Sequence, residues 1–229
     1  MLVIDFHVHS SVSEDSNISP KIIPKLMKKL GYSAVCIADH NSNKGALIAF
    51  KYAPKNFLVL IGQEIKTSQG EIIVVDSEKK LSGSIWEIID TAKQENLLTV
   101  LPHGFDFIRK SSAIRRVNKK DLLKLVKKVH AIEALNSRCF LNIHNSHARV
   151  FARVFKKPLV AGSDAHTLSE LGSAKTFVEA ELSKDDIFEA VRKGKTEILG
   201  KKSSFIVHFK SSYIKCEKIF LTGRKISRE

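Results

Sequence analysis

The stretch Asp5-Phe6-His7-Val8-His9-Ser10 closes a short apolar run that begins at the first residue and reads as a β-strand. Side chains of a strand alternate between its two faces, so His7 and His9 project to the same side. Two imidazoles pointing one way are able to share a metal ion, although a His-x-His pair by itself is a weak signal. The signal strengthens because the arrangement recurs five more times. Apolar run 33–38 leads to Asp39-His40, 57–61 to Gly62-Gln63-Glu64, and 97–101 to Pro102-His103. Run 131–135 carries Glu133 and ends in Asn136-Ser137-Arg138, and 158–161 ends in Gly162-Ser163-Asp164-Ala165-His166.

Between these strands lie helix signals. Ser19 and Pro20 open a segment that stops at Gly31, the expected order of N-cap, first-turn proline and terminating glycine. Further helices are predicted over 44–53, 84–95, 119–128, 142–155 and 183–193, with Leu122, Leu125, Val126 and Val129 as one buried stripe. A short β run spans 72–75, and 196–199 is a final barrel-type strand. The tail from 205 to 221 alternates apolar and polar residues and is predicted as edge β structure. Strands alternating with helices argue for an α/β fold with a parallel sheet, closed into a barrel whose functional residues lie at the carboxyl ends of its strands. The ligand-type residues above all fall there, which predicts a multinuclear metal site.

The 229 residues contain no linker-like segment and are read as one domain. Cys36, Cys139 and Cys216 are odd in number and far apart, which argues against a disulfide framework or a thiolate zinc site and fits a cytoplasmic location. No targeting segment and no membrane span is expected. The formal charge of +14 attracts phosphates, and a lysine-rich solvated exterior accounts for part of it.

These motifs, spanning residues 5 to 166, resemble the polymerase and histidinol phosphatase (PHP) metallophosphoesterases, most of all their small stand-alone members. The resemblance implies a distorted (β/α)7 barrel that holds two or three divalent ions (Zn, Mn or Fe) and hydrolyses phosphoester bonds. By position, His7, His9, Glu64 and Asp164 match ligands of one ion, and Glu64 bridges to a second held by His103. Asp15, His40 and His166 match the set that completes the cluster, with Glu14 an alternative to Asp15 and Glu133 a further possible ligand. Where similar proteins often carry a histidine after Glu64, this chain has Glu71, a possible carboxylate ligand. Such ions acidify a bound water for attack on phosphorus. Asp39 is read as orienting a ligating imidazole, and His166 or a metal-bound water as the general acid.

The basic loop with Arg109, Lys110, Arg115 and Arg116 follows His103 and so leaves from the same face, as does Arg138 after Asn136. Arg109, Arg115, Arg116, Asn136 and Arg138 are therefore the candidate substrate-binding residues, with guanidinium forks suited to phosphate. His130 and His208 are read as structural, and His144 with His147 as a competing ligand pair on one helix face. The leading function is a phosphoesterase for a nucleotide or short nucleic acid. The alternatives are a phosphatase of a small phosphomonoester such as histidinol phosphate and, from another class, an RNA-binding scaffold like the barrel subunit of ribonuclease P.

Overall fold

A computed structural model describes residues 1–226. The elements are β1 (Leu2–Val8), α1 (Ile23–Lys29), β2 (Ala34–His40), α2 (Lys44–Phe50), β3 (Leu58–Thr67), β4 (Gly70–Val75), α3 (Ile85–Gln94) and β5 (Leu98–Leu101). There follow α4 (Ala113–Arg116), α5 (Lys119–Lys128), β6 (Ala131–Asn136), α6 (Asn142–Val154), β7 (Leu159–Gly162), β8 (Ala174–Val178), α7 (Lys184–Arg192), β9 (Thr196–Gly200) and α8 (Ile206–Ile226). The strands form one sheet in the order β7-β6-β5-β4-β3-β2-β1-β8-β9. Only β4 and β8 run against the others, since each pairs antiparallel with both of its neighbours.

The sheet curls into a nearly closed α/β barrel. Val8 bridges Ala165 in parallel, the Asp164 N–H donates to the His7 carbonyl at 2.7 Å, and the His9 N–H donates to that of Ala165 at 3.0 Å. These bonds join the end of β1 to the chain leaving β7, which brings the first and last sequence motifs side by side. Helices cover the outside. One cluster packs Ile85, Ile88 and Ile89 of α3 and Leu125 and Val126 of α5 on Ile72 and Val74 of β4, with Ile132 of β6. Another packs Ile23 and Met27 of α1 and Ala46 and Ala49 of α2 on Val35 and Ile37 of β2.

Three expectations are corrected. The tail predicted as β structure from 205 to 221 is helix α8, because its buried positions Val207, Ser211 and Ile214 recur at helical spacing. The surrounding exposed residues Phe205, Phe209 and Tyr213 supply the alternation that misled. The first helix does not start at Ser19-Pro20, which lie in a turn; α1 begins at Ile23 with Pro24 in its first turn, and no side chain caps it. Strand β8 has no ligand motif at its end, and the sequence reading passes over it; β1 pairs with it along Leu2–Ile4. Among the described residues, no helix is long and apolar enough to cross a membrane.

Candidate metal centre

Glu64 is the hub of the site. It stands in β3 in register with His40 of β2, and its two oxygens face different partners. Oε1 lies 2.8 Å from His103 Nε2 and 3.6 Å from His7 Nε2. Oε2 lies 2.8 Å from His40 Nδ1 and 3.6 Å from His9 Nε2. Asp164 closes the other side, with Oδ1 3.3 Å from His9 Nε2 and 3.8 Å from His7 Nε2. Asp15 Oδ1 lies 3.3 Å from His166 Nε2 and 3.5 Å from His40 Nε2. Glu71 of β4 is buried and brings Oε2 to 3.6 Å from His103 Nε2. Donor atoms within 4.8 Å of one another group as His7-Glu64-His103, as His7-His9-Asp164 and as His9-His40-His166.

The tautomers decide whether cations fit. Ser13 Oγ donates to Asp39 Oδ1 at 2.7 Å, so it faces His9 Nδ1 at 3.1 Å as an acceptor, and the proton of His9 sits on Nδ1. The Nδ1–H of His7 donates to Glu133 Oε1 at 2.9 Å. Both Nε2 atoms are therefore left with lone pairs, yet they face each other at 2.9 Å. A cation lying between or beside them would satisfy both. Burial opposes charge on His7, but Glu133, Asp164 and Glu64 hold its pKa well above the ordinary histidine value. Burial and the neighbouring His166 and His40 keep His9 well below it. Buried and without hydrogen-bond partners at the same place are Glu64 Oε2, Asp164 Oδ1 and Asp15 Oδ1. Buried acceptors left unpaired are costly, so the donor set fits divalent ions.

The surroundings keep these carboxylates ionised. Burial alone would raise Glu64, but the charge on His7, with the His103 and His40 imidazoles beside it, holds it well below the usual carboxylate range. Asp164 is likewise held down against burial by Arg109, whose Nη2 donates to its Oδ2 at 2.8 Å. His40, favoured by Asp15 and Glu64 over the cost of burial, is pushed up to about 10. Backbone strain marks the centre too: His103 and Asp164 have φ of 29° and 54°, a region that costs a non-glycine residue roughly 1–3 kcal/mol.

Several expected residues stand elsewhere. Glu14 is exposed and pairs with Lys215 of α8 at 3.1 Å, so Asp15 is the carboxylate of that loop that reaches the cluster. Glu133 is not placed as a ligand, because its oxygens are taken: Oε1 by His7, and Oε2 by the His103 N–H at 2.7 Å and the Asn136 amide at 3.0 Å. Asp39 acts on an imidazole at one remove and not on a substrate-facing atom. Its Oδ1 accepts from the Ser10 N–H and Ser13 Oγ and its Oδ2 from Ser10 Oγ, so it orients His9 through Ser13. Asn136 is buried and holds Glu133 and Asp164 together. Arg115 and Arg116, which end the short helix α4 and do not lie in a loop as expected, donate to the carbonyls of Phe107 and Lys110 and brace the segment before that helix. Arg138 is buried against Glu170 and Ser211. Of the candidate arginines, Arg109 reaches the cluster.

Supporting residues escaped the sequence reading. Ser13 carries no signal within a serine-rich loop. Glu170 accepts the N–H of His166 and of Thr167, and Thr167-Leu168-Ser169-Glu170 is a capping box that was there to be read. Lys218 of α8 donates from Nζ to the carbonyls of Ser11, Ser13 and Ser16 at 2.8, 2.7 and 2.7 Å, clamping the loop that presents Asp15.

Fold and site together define a mixed α/β barrel that gathers imidazoles and carboxylates at its strand ends to hold divalent cations. Residues 142–196 match the family model described as PHP-associated. The uncharacterized protein MJ0417 of Methanocaldococcus jannaschii is 33% identical over 188 residues, covering 80% of this chain and 73% of that protein. The chain belongs to the PHP family. Among solved structures, it superposes with a TM-score of 0.73 on a two-domain protein from Bacteroides vulgatus containing a predicted PHP-like metal-dependent phosphoesterase. That match is 20% identical and covers 87% of this chain, which spans 65% of the length of the Bacteroides protein. PsfC from Pseudomonas syringae gives a TM-score of 0.67 at 16% identity, covering 94% of this chain and 98% of that one. At these identities the likeness to solved structures is one of fold.

Proposed function

We propose that the chain is a metal-dependent phosphoesterase acting on a nucleotide or the end of a short nucleic acid. The observation that carries the reading is the facing pair of Nε2 lone pairs on His7 and His9 at 2.9 Å, ringed by Glu64 and Asp164. His7, His9, Glu64 and Asp164 would hold one ion, Glu64 with His103 a second, and Asp15, His40 and His166 a third. Bound divalent ions supply charge on the phosphoryl oxygens and acidify the attacking water.

The residues of the chain do the rest. Glu133 and Ser13 fix the ring orientations of His7 and His9. His166 donates its Nδ1–H to the Asp164 carbonyl at 2.7 Å, so the Nε2 of the neutral ring turns a lone pair to the cluster. Its grouping with His9 and His40 supports a ligand role. Arg109 places a fixed cation beside Asp164, where it would meet a substrate phosphate. Solvent reaches the cluster past His40, Asp15 and Arg109, whose side chains are 16, 26 and 22% exposed while His7, His9 and Glu64 are closed off. Inner ligands closed to solvent behind three partly exposed side chains suit a terminal phosphate on a flexible chain better than the middle of a duplex.

The test is a panel of a simple phosphomonoester, a nucleoside bisphosphate and a single-stranded oligonucleotide, assayed with Mn²⁺, Zn²⁺ and Fe²⁺. Metal-dependent hydrolysis that favours the nucleotide substrates and is lost in His9→Ala and Asp164→Asn is expected. Preference for the simple phosphomonoester would move the assignment to a small-molecule phosphatase. Oligonucleotide binding without hydrolysis under any of the metals would support the RNA-binding scaffold.

A further inference from the structure

A second group of donor atoms lies beside the barrel mouth and takes no part in the centre described above. Asp106 sits in the loop after β5, Cys139 in the loop after β6, and His144 in the first turn of α6. All are buried, at 1, 3 and 2% exposure, and each offers one ligand atom within 4.8 Å of the other two. Asp106 Oδ1 accepts the N–H of Ile108 at 2.8 Å and of Arg109 at 3.1 Å, while its Oδ2 is buried without a partner. His144 Nδ1 approaches Asp106 Oδ1 to 3.0 Å but forms no hydrogen bond of proper direction with it. Three residues on, His147 also keeps a buried Nδ1 without a partner. Unpaired polar atoms brought together from three separate segments in a dry pocket are unfavourable unless something fills the space between them.

We propose that Asp106, Cys139 and His144 form a second divalent-cation site, of zinc type, that anchors the loop presenting Arg109. Thiolate, carboxylate and neutral imidazole together carry two negative charges, which a divalent ion neutralises where all three groups are buried. Sulfur beside nitrogen and oxygen selects zinc over magnesium, calcium or manganese. A water, or His147 from the same helix, completes a tetrahedral set. Binding is a ligand exchange in which the Cys139 thiol releases its proton to solvent and the sulfur lone pair goes to the metal, so no oxidant or reductant is involved. The Phe107 ring, 5.8 Å from the His144 ring and 5.2 Å from that of His147, borders the pocket. The consequence for the main centre runs through Asp106: the carboxylate that binds the ion also caps the Arg109 N–H, and Arg109 reaches Asp164.

Sulfur separates this site from the main one, whose donors are all nitrogen and oxygen. The full chain loaded with Co²⁺ is therefore examined for thiolate-to-cobalt charge-transfer absorption in the near ultraviolet. The band is expected in the wild type, in His9→Ala, which damages the main cluster alone, and is expected to vanish in Cys139→Ser with the loss of one metal ion per chain. His144→Ala keeps the sulfur and is expected to weaken Co²⁺ binding at the band at least about tenfold, since removing even a supporting partner of a ligand costs that much. Wild-type protein saturated with Co²⁺ that shows no such band overturns the proposal without any variant. A band that survives Cys139→Ser, and so arises from Cys36 or Cys216, overturns it as well, as does one indifferent to His144→Ala. Circular dichroism of each variant establishes that a lost band reflects a lost site and not a lost fold.

Discussion

Replacing Glu133 by Gln tests whether the metal centre depends on a residue that binds no metal. The carboxylate accepts three hydrogen bonds, from His7 Nδ1 at 2.9 Å, the His103 N–H at 2.7 Å and the Asn136 amide at 3.0 Å. A glutamine side chain keeps the shape but turns one oxygen into a donor. If its NH₂ faces His7, the imidazole must shift its proton to Nε2 and surrender the lone pair that a metal needs. If it faces His103, two N–H groups confront each other in a closed pocket. The first arrangement takes the donor atom away from the metal, and the second leaves buried donors unpaired, at a cost of about 1–3 kcal/mol. At about 1.4 kcal/mol per tenfold, metal affinity should fall by roughly 10- to 100-fold. Titration of the metal-free protein with Mn²⁺ or Zn²⁺ by calorimetry measures this, with the thermal melt as a check on folding. Affinity within twofold of wild type would refute the tautomer argument, and with it the claim that the two Nε2 atoms point at a common cation.

Other perturbations read the same architecture at different points. Gly162→Ala would place a Cβ 2.1 Å from Glu133 Oε1 and 2.4 Å from His7 Cβ, so metal content should fall although no ligand is changed. Metal content equal to wild type would show that the β6–β7 spacing adjusts freely. Glu71→Ala should lower metal affinity or stoichiometry, since its Oε2 stands 3.6 Å from His103 Nε2; unchanged binding on titration places it outside the cluster. His130 concerns pH: burial, with Arg192 and Lys157 nearby, depresses its pKa from 6.5 to about 4, and its Nδ1 accepts the Thr99 N–H. The unfolded chain takes up this proton first, so stability is full above pH 6.5 and declines as pH falls towards 4. In His130→Gln, urea midpoints should drop less between pH 7 and 4.5; parallel curves for variant and wild type would remove His130 as the cause.

The strand-end ligands were legible in the sequence because two simple regularities coincide. An apolar run of strand length marks the buried staves of the barrel, and the polar residue that ends each run is forced to the same rim. His7, His40, Glu64, His103 and Asp164 all follow from that rule. What the rule does not reach is irregular backbone. Glu14 and Asp15 are neighbours in a loop, and it is Lys215, some two hundred residues away, that draws Glu14 outward while Asp15 turns in to His166. Glu133 sits in a barrel strand like a ligand, yet its role as a support depends on His7 already facing it. The arginines of the segment after β5 were alike in sequence, and only their bonding separates Arg109 from Arg115 and Arg116. Helix α8 hid behind its own exposed aromatic residues.

The clamp made by Lys218 ties the most solvent-exposed candidate ligand to an element far from it in sequence. One ammonium group of α8 gathers the carbonyls of Ser11, Ser13 and Ser16, about two hundred residues earlier. Loosening of α8 would therefore release part of the hold on the loop of Asp15, while the donors carried by the strands stay fixed by the sheet. The outer carboxylate answers to the docking of a surface helix, and the inner ones answer to the barrel.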